Sequence, residues 1–179
     1  MADLNVLSKF KPIKAFVLDV DGVLTDGSVL ATEAGEQLRT MNIKDGFAIN
    51  QAVQRGYLII AISGGSSEGV QKRLTKLGVQ EIHLAVNNKV EVLNAVLSKH
   101  KITPAQCMGV GDDLPDYEML KLVGLSCCPS DAAREILEMV NYVSSKNGGQ
   151  GCIRELIEMV LRLNNDWPQL SGHESLVSK

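Results

Sequence analysis

Short apolar runs alternate along the chain with longer stretches in which apolar residues recur at helical spacing. The short runs predict buried strands over 13–20, 57–62, 81–85, 106–110, 124–128 and 141–144. The spaced stretches predict amphipathic helices over 44–54, 67–77, 89–100, 114–123, 131–140 and 152–163. Such alternation is typical of a parallel sheet covered by helices on both faces. The expected fold class is therefore α/β, a Rossmann-like three-layer α/β/α arrangement.

The segment between the first two predicted strands has a different pattern. Two β-prone pieces, 28–31 and 36–40, flank a turn that contains Gly35. They predict a protruding β-hairpin over roughly 26–41, because glycine supplies the turn. Only this hairpin and one helix fit between the two strands, so we expect no cap domain.

Composition and charge suit one ordinary globular domain. Hydrophobic residues make up 45% and charged residues 22%. We expect a single domain over 1–163, followed by a polar and loose C-terminal tail over 164–179. A net charge of -3 argues against nucleic-acid and membrane partners, and the longest apolar run is too short to span a bilayer. The four cysteines lack CxxC spacing and no apolar leader precedes them, which indicates a reduced, cytoplasmic protein.

Polar side chains follow several predicted strands at the point where each strand ends. In a parallel sheet these ends meet at one edge, where ligands bind. Each residue alone has an ordinary explanation as a turn residue, a helix cap or a solvated lysine. Together they bring carboxylates, a hydroxyl and an ammonium to one rim. The residues are Asp19, Asp21, Ser63, Gly64, Lys89, Asp112, Asp113 and Asp116.

This set of groups suits phosphoryl transfer. Two or three carboxylates can hold Mg²⁺, which prefers oxygen ligands and lowers the repulsion between an anionic nucleophile and a phosphate. One carboxylate can then attack phosphorus, while a second one two residues along moves a proton to the leaving oxygen. Ser63 and Lys89, with Gly64 beside them, are candidates for binding the phosphoryl oxygens. The expected partner is a small anionic phosphomonoester.

Four features resemble the motifs of the haloacid dehalogenase superfamily of phosphatases: DVDGVLTDG, Ser63, Lys89 and GDDLPD. The resemblance implies that Asp19 is the nucleophile and a metal ligand. It implies that Asp21 is the general acid/base and offers the metal its main-chain carbonyl. It also implies that Asp112 is the remaining protein ligand of a Mg²⁺ cofactor, with Asp113 and Asp116 close behind.

A narrower resemblance extends to about residue 163. DGVLTDG, IKDGFAI at 43–49 and GGQGCIRE at 148–155 resemble the 3-deoxy-D-manno-octulosonate 8-phosphate phosphatases of lipopolysaccharide biosynthesis, which lack a cap domain. The same segments resemble phosphatases of nonulosonate 9-phosphates and the domain attached to some sialic acid cytidylyltransferases. Another sugar phosphate and a non-catalytic tetrameric scaffold are therefore the alternatives. The intact carboxylates and lysine argue against the scaffold.

The resemblance also implies a homotetramer whose hairpins associate and in which a neighbouring subunit completes the substrate pocket. An ordinary surface hairpin is the alternative explanation of this segment. The glycine-rich segment 148–151 would fold near the active site, with Asp45 and Arg154 as candidates for contacts with the substrate or the tail. A plain loop followed by a surface arginine is the alternative.

One position departs from the pattern. The motif serine and the glycine after it are Ser63 and Gly64 in this chain. The octulosonate phosphatases usually carry arginine at the next position, and the nonulosonate enzymes often carry glutamate, whereas this chain has Gly65. Arginine there would offer a two-point contact to a sugar carboxylate. Either another cation such as Lys72 or Arg73 replaces it, or the substrate differs.

Overall fold

The computed structural model describes residues 4–168 and places a six-stranded parallel sheet at their centre. The strands of the chain are β1 (Ala15–Leu18), β2 (Leu30–Ala31), β3 (Gln37–Leu38), β4 (Leu58–Ile62), β5 (Glu81–His83), β6 (Cys107–Val110), β7 (Leu125–Cys128) and β8 (Tyr142–Val143). The sheet order is β5-β4-β1-β6-β7-β8, so β1 lies between β4 and β6. After β1 the chain adds β4 and β5 on one side and then β6, β7 and β8 on the other side. Ligands of open α/β sheets bind at such a switch point.

Helices cover both faces of the sheet, as the alternating pattern predicts. They are α1 (Leu4–Ser8), α2 (Ile43–Gln54), α3 (Glu68–Leu77), α4 (Lys89–His100), α5 (Tyr117–Leu122), α6 (Arg134–Met139) and α7 (Cys152–Leu163). Side-chain caps fix where α2, α3 and α4 begin, because Asn42, Ser67 and Asn88 each accept a hydrogen bond from a backbone N–H of the first turn. Within residues 4–168, no helix combines the length and apolar character needed to cross a membrane.

Alternate residues of each strand divide the core into two layers. Phe16 and Leu18 of β1 face the layer that contains α2, α3 and α7, whereas Ala15 and Val17 face α4 and α5. These side chains are almost fully buried, and burying a large aliphatic or aromatic side chain contributes about 1.5–3 kcal/mol. The predicted three-layer α/β/α architecture is confirmed.

β2 and β3 form the predicted hairpin outside the main sheet. They pair antiparallel, with Leu30 opposite Leu38, and all of their residues are exposed. The turn is closed by Gly35, whose N–H donates to the Thr32 carbonyl at 2.9 Å. Over the described part of the chain, only the hairpin and α2 lie between β1 and β4, and only α3 lies between β4 and β5. Within residues 4–168, no cap domain covers the edge of the sheet.

Two helices begin later than the sequence predicts. The helices expected from Leu114 and Asp131 start at Tyr117 and Arg134. The first is shortened because Leu114–Asp116 form a 3₁₀ turn instead of α-helix.

The packed part of the chain reaches Trp167, beyond the boundary at residue 163 that the sequence predicts. The Trp167 ring lies 6.0 Å from the Phe47 ring, and the Tyr57 hydroxyl donates to Asp166 at 2.7 Å. The rest of the predicted loose tail, 169–179, lies outside the described residues.

Candidate active site

The carboxyl ends of β1, β4 and β6 and the start of α4 enclose a cavity of about 320 Å³. Every predicted carboxylate, hydroxyl and ammonium of the rim contributes to its wall. The residues that line it are Asp19, Asp21, Ser63, Gly64, Gly65, Val86, Asn87, Lys89, Asp112, Asp113, Pro115 and Asp116.

A buried lysine joins two carboxylates at the centre of this cavity. Lys89 is the first residue of α4, and its Nζ donates to Asp19 Oδ1 at 2.7 Å and to Asp116 Oδ1 at 2.6 Å. The side chains of Lys89 and Asp19 are each 8% exposed and that of Asp116 is 2% exposed. Burial alone would lower the pKa of Lys89, but the charges of the two carboxylates raise it overall. The lysine is therefore a fixed cation beside Asp19.

Negative charge is in excess around this lysine. Burial, helped by the charge of Asp116, raises the pKa of Asp19 to about 7 and outweighs the opposing effect of Lys89. Burial and the charges of Asp19 and Asp116 also raise the pKa of Asp112 to about 7. Five carboxylates line the cavity, and among the described residues that line it only Lys89 is cationic. Additional positive charge would relieve this repulsion.

The crowded carboxylates form a suitable site for a divalent cation. Oxygens of Asp19, Asp112 and Asp116 lie within 4.8 Å of one another, and oxygen donors are what Mg²⁺ prefers. Asp116 is already held by Lys89, and its Oδ2 accepts the Asp112 N–H at 3.1 Å. The Asp112 carboxylate has no hydrogen-bond partner within the described range. Asp19 and Asp112 are therefore the side-chain ligands that this geometry offers, and Asp116 supports them.

Gly22 lets the Asp112 carboxylate lie against the turn that follows β1. Its φ is +89°, and a Cβ atom there would lie 2.1 Å from Asp112 Oδ2. The turn is tight, since the Val20 carbonyl accepts the N–H groups of Leu24 and Thr25, both at 3.0 Å. A side chain at position 22 would displace the Asp112 carboxylate.

The loop after β4 presents hydrogen-bond donors to the cavity. Ser63 is 2% exposed, and its Oγ accepts the Gly65 N–H at 3.0 Å, so its own O–H remains able to donate. The backbone of Gly64 is open, because a Cβ atom there would contact only the Val86 carbonyl, at 3.7 Å. A hydroxyl donor and bare backbone thus lie on the same wall as Lys89.

Asp113 and Asp116 occupy different environments. Asp116 is buried behind Asp112, as described above. Asp113 is exposed, and its Oδ1 accepts the Leu114 N–H at 2.8 Å, which caps the 3₁₀ turn. Asp113 lies on the cavity wall but outside the close group of carboxylates.

Arg39 is a site residue that the sequence does not single out. It follows β3, and its Nε donates to Asp21 Oδ1 at 2.6 Å while its Nη2 donates to Asp21 Oδ2 at 3.2 Å. Asp21, the predicted general acid/base, is therefore held by a guanidinium from the hairpin. Arg39 lies outside the four motifs. The only hint in the sequence is Gly65, because a glycine there leaves the role of the usual arginine to a cation from elsewhere in the chain.

Asp45 does not line the cavity. It lies in the first turn of α2 and is 1% exposed, and its Oδ1 accepts the Arg154 N–H at 2.6 Å. Burial raises the pKa of Asp45, against the effect of that hydrogen bond. Of the two contacts considered for Asp45, with the substrate or with the tail, the one observed is with Arg154 at the start of α7.

The glycine-rich segment packs against the turn that follows β1. The Gly149 N–H donates to the Val23 carbonyl at 2.9 Å, and the Asn42 side chain donates to the Gly149 carbonyl at 3.1 Å. The segment therefore braces the turn that carries Asp21.

The Arg154 side chain also lies away from the cavity wall. Its guanidinium carbon is 4.5 Å from the centre of the Trp167 ring and 5.3 Å from that of Phe47. Its Nε pairs with Glu158 at 2.6 Å. In the chain as described, Arg154 joins α2, α7 and the residues after α7.

Sequence comparisons relate the chain to known hydrolases. Residues 81–156 match the family model of the haloacid dehalogenase-like hydrolases. The chain is 33% identical over 168 residues to the 3-deoxy-D-manno-octulosonate 8-phosphate phosphatase KdsC of Escherichia coli strain K12, covering 94% of this chain and 89% of that protein. The phosphatase of the same name from Yersinia pestis is 29% identical over 157 residues, covering 88% and 84% of the two chains.

Solved structures share the whole fold. The 3-deoxy-D-manno-octulosonate 8-phosphate phosphatase of Yersinia pestis superposes with a TM-score of 0.89 at 28% identity, covering 91% of this chain and 88% of that one. The enzyme of the same name from Moraxella catarrhalis superposes with a TM-score of 0.87 at 30% identity, covering 90% and 93%. That crystal structure contains a magnesium ion, a phosphate ion and a KDO molecule.

Proposed function

This chain belongs to the haloacid dehalogenase-like hydrolases and is a phosphoric monoester hydrolase, and we propose that it converts 3-deoxy-D-manno-octulosonate 8-phosphate to the free sugar acid and phosphate. The observation that carries the proposal is the buried Lys89–Asp19 pair at 2.7 Å, in a cavity that also contains Asp112 and Ser63. The names of the relatives in Escherichia coli and Moraxella catarrhalis support this substrate. The product would be a precursor of lipopolysaccharide.

We propose that the reaction proceeds through an aspartyl phosphate. A carboxylate oxygen of Asp19 attacks phosphorus, and the bond from phosphorus to the sugar oxygen breaks. Asp21 gives a proton to the leaving oxygen and later takes one from the water that cleaves the acyl phosphate. Lys89 and the Ser63 hydroxyl bind the phosphoryl oxygens and offset the charge that develops there.

The chain offers a site for Mg²⁺ in the carboxylates of Asp19 and Asp112, together with the main-chain carbonyl of Asp21. The crowding that raises the pKa of Asp19 and Asp112 supports this site, because the described protein cations do not balance the negative charge. When bound, the ion supplies positive charge that reduces the repulsion between the Asp19 carboxylate and the phosphate.

The proposal is tested by measuring phosphate release from a panel of sugar phosphates with Mg²⁺ present. We expect kcat/KM for 3-deoxy-D-manno-octulosonate 8-phosphate to exceed that for neutral sugar phosphates by about a hundredfold, because a site that pairs a substrate group strongly rejects analogues that lack it. A comparable preference for a nonulosonate 9-phosphate would assign that compound as the substrate and leave the proposed phosphatase reaction unchanged. Low and equal rates across the panel would point to a substrate outside the panel or to the scaffold alternative.

Chelation serves as the control for the panel. We expect EDTA to abolish phosphate release and Mg²⁺ to restore it. Ca²⁺ should not restore it, because its looser coordination positions the nucleophile poorly. Full activity in the chelator would contradict the metal site at Asp19 and Asp112.

We propose a single catalytic domain, predicted over 1–163 and extended by the packed residues up to Trp167, in a reduced, cytoplasmic protein. The four cysteines support the reducing environment, since all of them are buried thiols without disulfide partners. We also propose a homotetramer in which the hairpins associate and a neighbour covers the uncapped cavity. Exposed apolar side chains on the hairpin support it: Val29 is 45%, Leu30 66% and Leu38 49% exposed.

A charged residue on the hairpin tests this assembly. We expect Leu30→Lys to dissociate the tetramer, because a charge in an apolar interface is strongly unfavourable. Without a neighbour to exclude water, kcat/KM should fall by about tenfold or more. Sedimentation velocity and steady-state kinetics would measure both effects. Leu122→Lys, at an exposed apolar position on α5, is the matched control, and a Leu30→Lys variant that sediments like wild type would rule out the hairpin interface.

A further inference from the structure

A guanidinium from the hairpin lies beside the active-site cavity, in a small adjoining pocket that shares Asp21, Ser63 and Gly65 with it. Two nitrogens of Arg39 donate to the two carboxylate oxygens of Asp21, at 2.6 and 3.2 Å, and the third donates to the Gln37 carbonyl at 3.1 Å. The Arg39 side chain is only 6% exposed, whereas that of Asp21 is 34% exposed. Arg39 is thus held in place as a two-point receptor for a carboxylate, which is the geometry that arginine provides and lysine does not.

Gly65 creates the space for this arrangement. A Cβ atom at position 65 would lie 2.8 Å from Asp21 Oδ2 and 3.2 Å from Arg39 Nη2. A side chain at position 65 would therefore push against both partners. The missing side chain at position 65 and the guanidinium from position 39 are two parts of one arrangement.

The other cations considered for this role are engaged elsewhere. Lys72 pairs with Glu68 on the outer face of α3, where both side chains are largely exposed. Arg73 lies against Gly46 of α2, since its Nη2 is 2.6 Å from where a Cβ atom of Gly46 would be. Among the described residues, neither of them forms an ion pair with a cavity carboxylate, whereas Arg39 pairs with Asp21.

For Asp21 to act on a leaving group, its contact with Arg39 has to be broken when substrate binds. While both oxygens of Asp21 accept from the guanidinium, the carboxylate is turned toward Arg39 rather than toward a leaving group. A second carboxylate of suitable shape can replace Asp21 on the guanidinium fork. Lys89 serves the phosphate in the proposed mechanism, which leaves Arg39, beside the cavity, as the cation for the substrate carboxylate.

We propose that Arg39 is the specificity-determining residue of the site: it binds the carboxylate of the sugar-acid substrate and in doing so releases Asp21 toward the reacting phosphate. The inference rests on the proposed function, because it assumes a substrate that carries both a phosphate and a carboxylate. It explains how a chain with glycine at position 65 recognises such a substrate.

The test compares two substrates in Arg39 variants of the full-length enzyme with Mg²⁺. We expect Arg39→Gln to lower kcat/KM for 3-deoxy-D-manno-octulosonate 8-phosphate by about tenfold to a hundredfold, as loss of a charged hydrogen-bond pair would. For a neutral sugar phosphate such as mannose 6-phosphate, kcat/KM should not fall, because this substrate has no carboxylate to bind and Asp21 is released from the guanidinium. Arg39→Lys should recover only part of the loss. Arg73→Gln is the matched control and should leave both substrates unaffected.

Different outcomes separate this inference from the proposed function. Equal losses on both substrates would show that Arg39 only supports the fold or Asp21, and no loss on either would exclude the contact. A wild-type enzyme that ignores sugar-acid phosphates would instead refute the proposed substrate. In that case, a calorimetric titration with the free sugar acid tests the contact with Arg39 independently of turnover. Binding that Arg39→Gln weakens by tenfold or more, by the same estimate, supports the contact, and equal or absent binding overturns it.

Discussion

We expect the Asp19→Asn variant to lose phosphate release by about 10⁴-fold or more, as enzymes that lose their nucleophile do. The substitution keeps the size of the side chain and its place at the end of β1, but an amide cannot form the acyl phosphate. The fold should persist, because burial already disfavours the charged carboxylate at this position and raises its pKa to about 7. Phosphate release with a coupled assay and the thermal midpoint of unfolding would measure the two properties.

Asp113→Asn is the matched control for this variant. Asp113 lines the same cavity but is exposed and lies outside the close group of carboxylates. We expect it to keep most of the wild-type rate. Residual activity above about one per cent in Asp19→Asn would contradict the covalent role. An enzyme that has lost its nucleophile typically keeps a far smaller fraction of the wild-type rate.

Lys89→Met should damage both catalysis and stability. Removing the ammonium leaves Asp19 and Asp116 buried beside each other without their shared cation. Breaking a buried ion pair by removing one partner typically costs about 3–5 kcal/mol, and the lost charge at the phosphoryl oxygens should lower kcat by about a hundredfold or more. Urea unfolding and steady-state kinetics would give the two values.

A double variant separates the two effects of Lys89. Lys89→Met combined with Asp116→Asn removes one of the repelling carboxylates, so the free energy of unfolding should partly recover while kcat stays low. Lys121→Met removes an exposed lysine that pairs with Glu118 and serves as the control. A Lys89→Met variant as stable as wild type would contradict the structural part of the account, and one with a normal kcat would contradict the catalytic part.

The sheet and most of the rim are predictable from sequence because their signals are local. The strands are continuous apolar runs such as 57–62, bounded by glycine or acidic residues. Ser67 and Asn88 mark the starts of α3 and α4 as capping residues do. Since Asp19, Ser63 and Lys89 each follow a strand of one parallel sheet, their meeting at one edge follows from the strand assignment.

The contacts that escaped prediction join segments far apart in the chain. Arg39 and Asp21 are eighteen residues apart, and their contact depends on how the hairpin folds back over the loop of Gly65. The contact of Asp45 with the Arg154 N–H spans a much longer separation and depends on how α2 packs against α7. Composition and periodicity carry no information about either distance. The late start of α5 has a local cause, since a 3₁₀ turn capped by Asp113 replaces its first residues.

The central claim is that the phosphoryl group passes through Asp19. The most direct measurement mixes enzyme, Mg²⁺ and 3-deoxy-D-manno-octulosonate 8-phosphate, quenches with acid within one turnover, and maps the peptides by mass spectrometry. We predict a phosphoryl group on Asp19, absent from the Asp19→Asn variant. Phosphate release without a modified peptide, or with the phosphoryl group on another residue, would contradict the account.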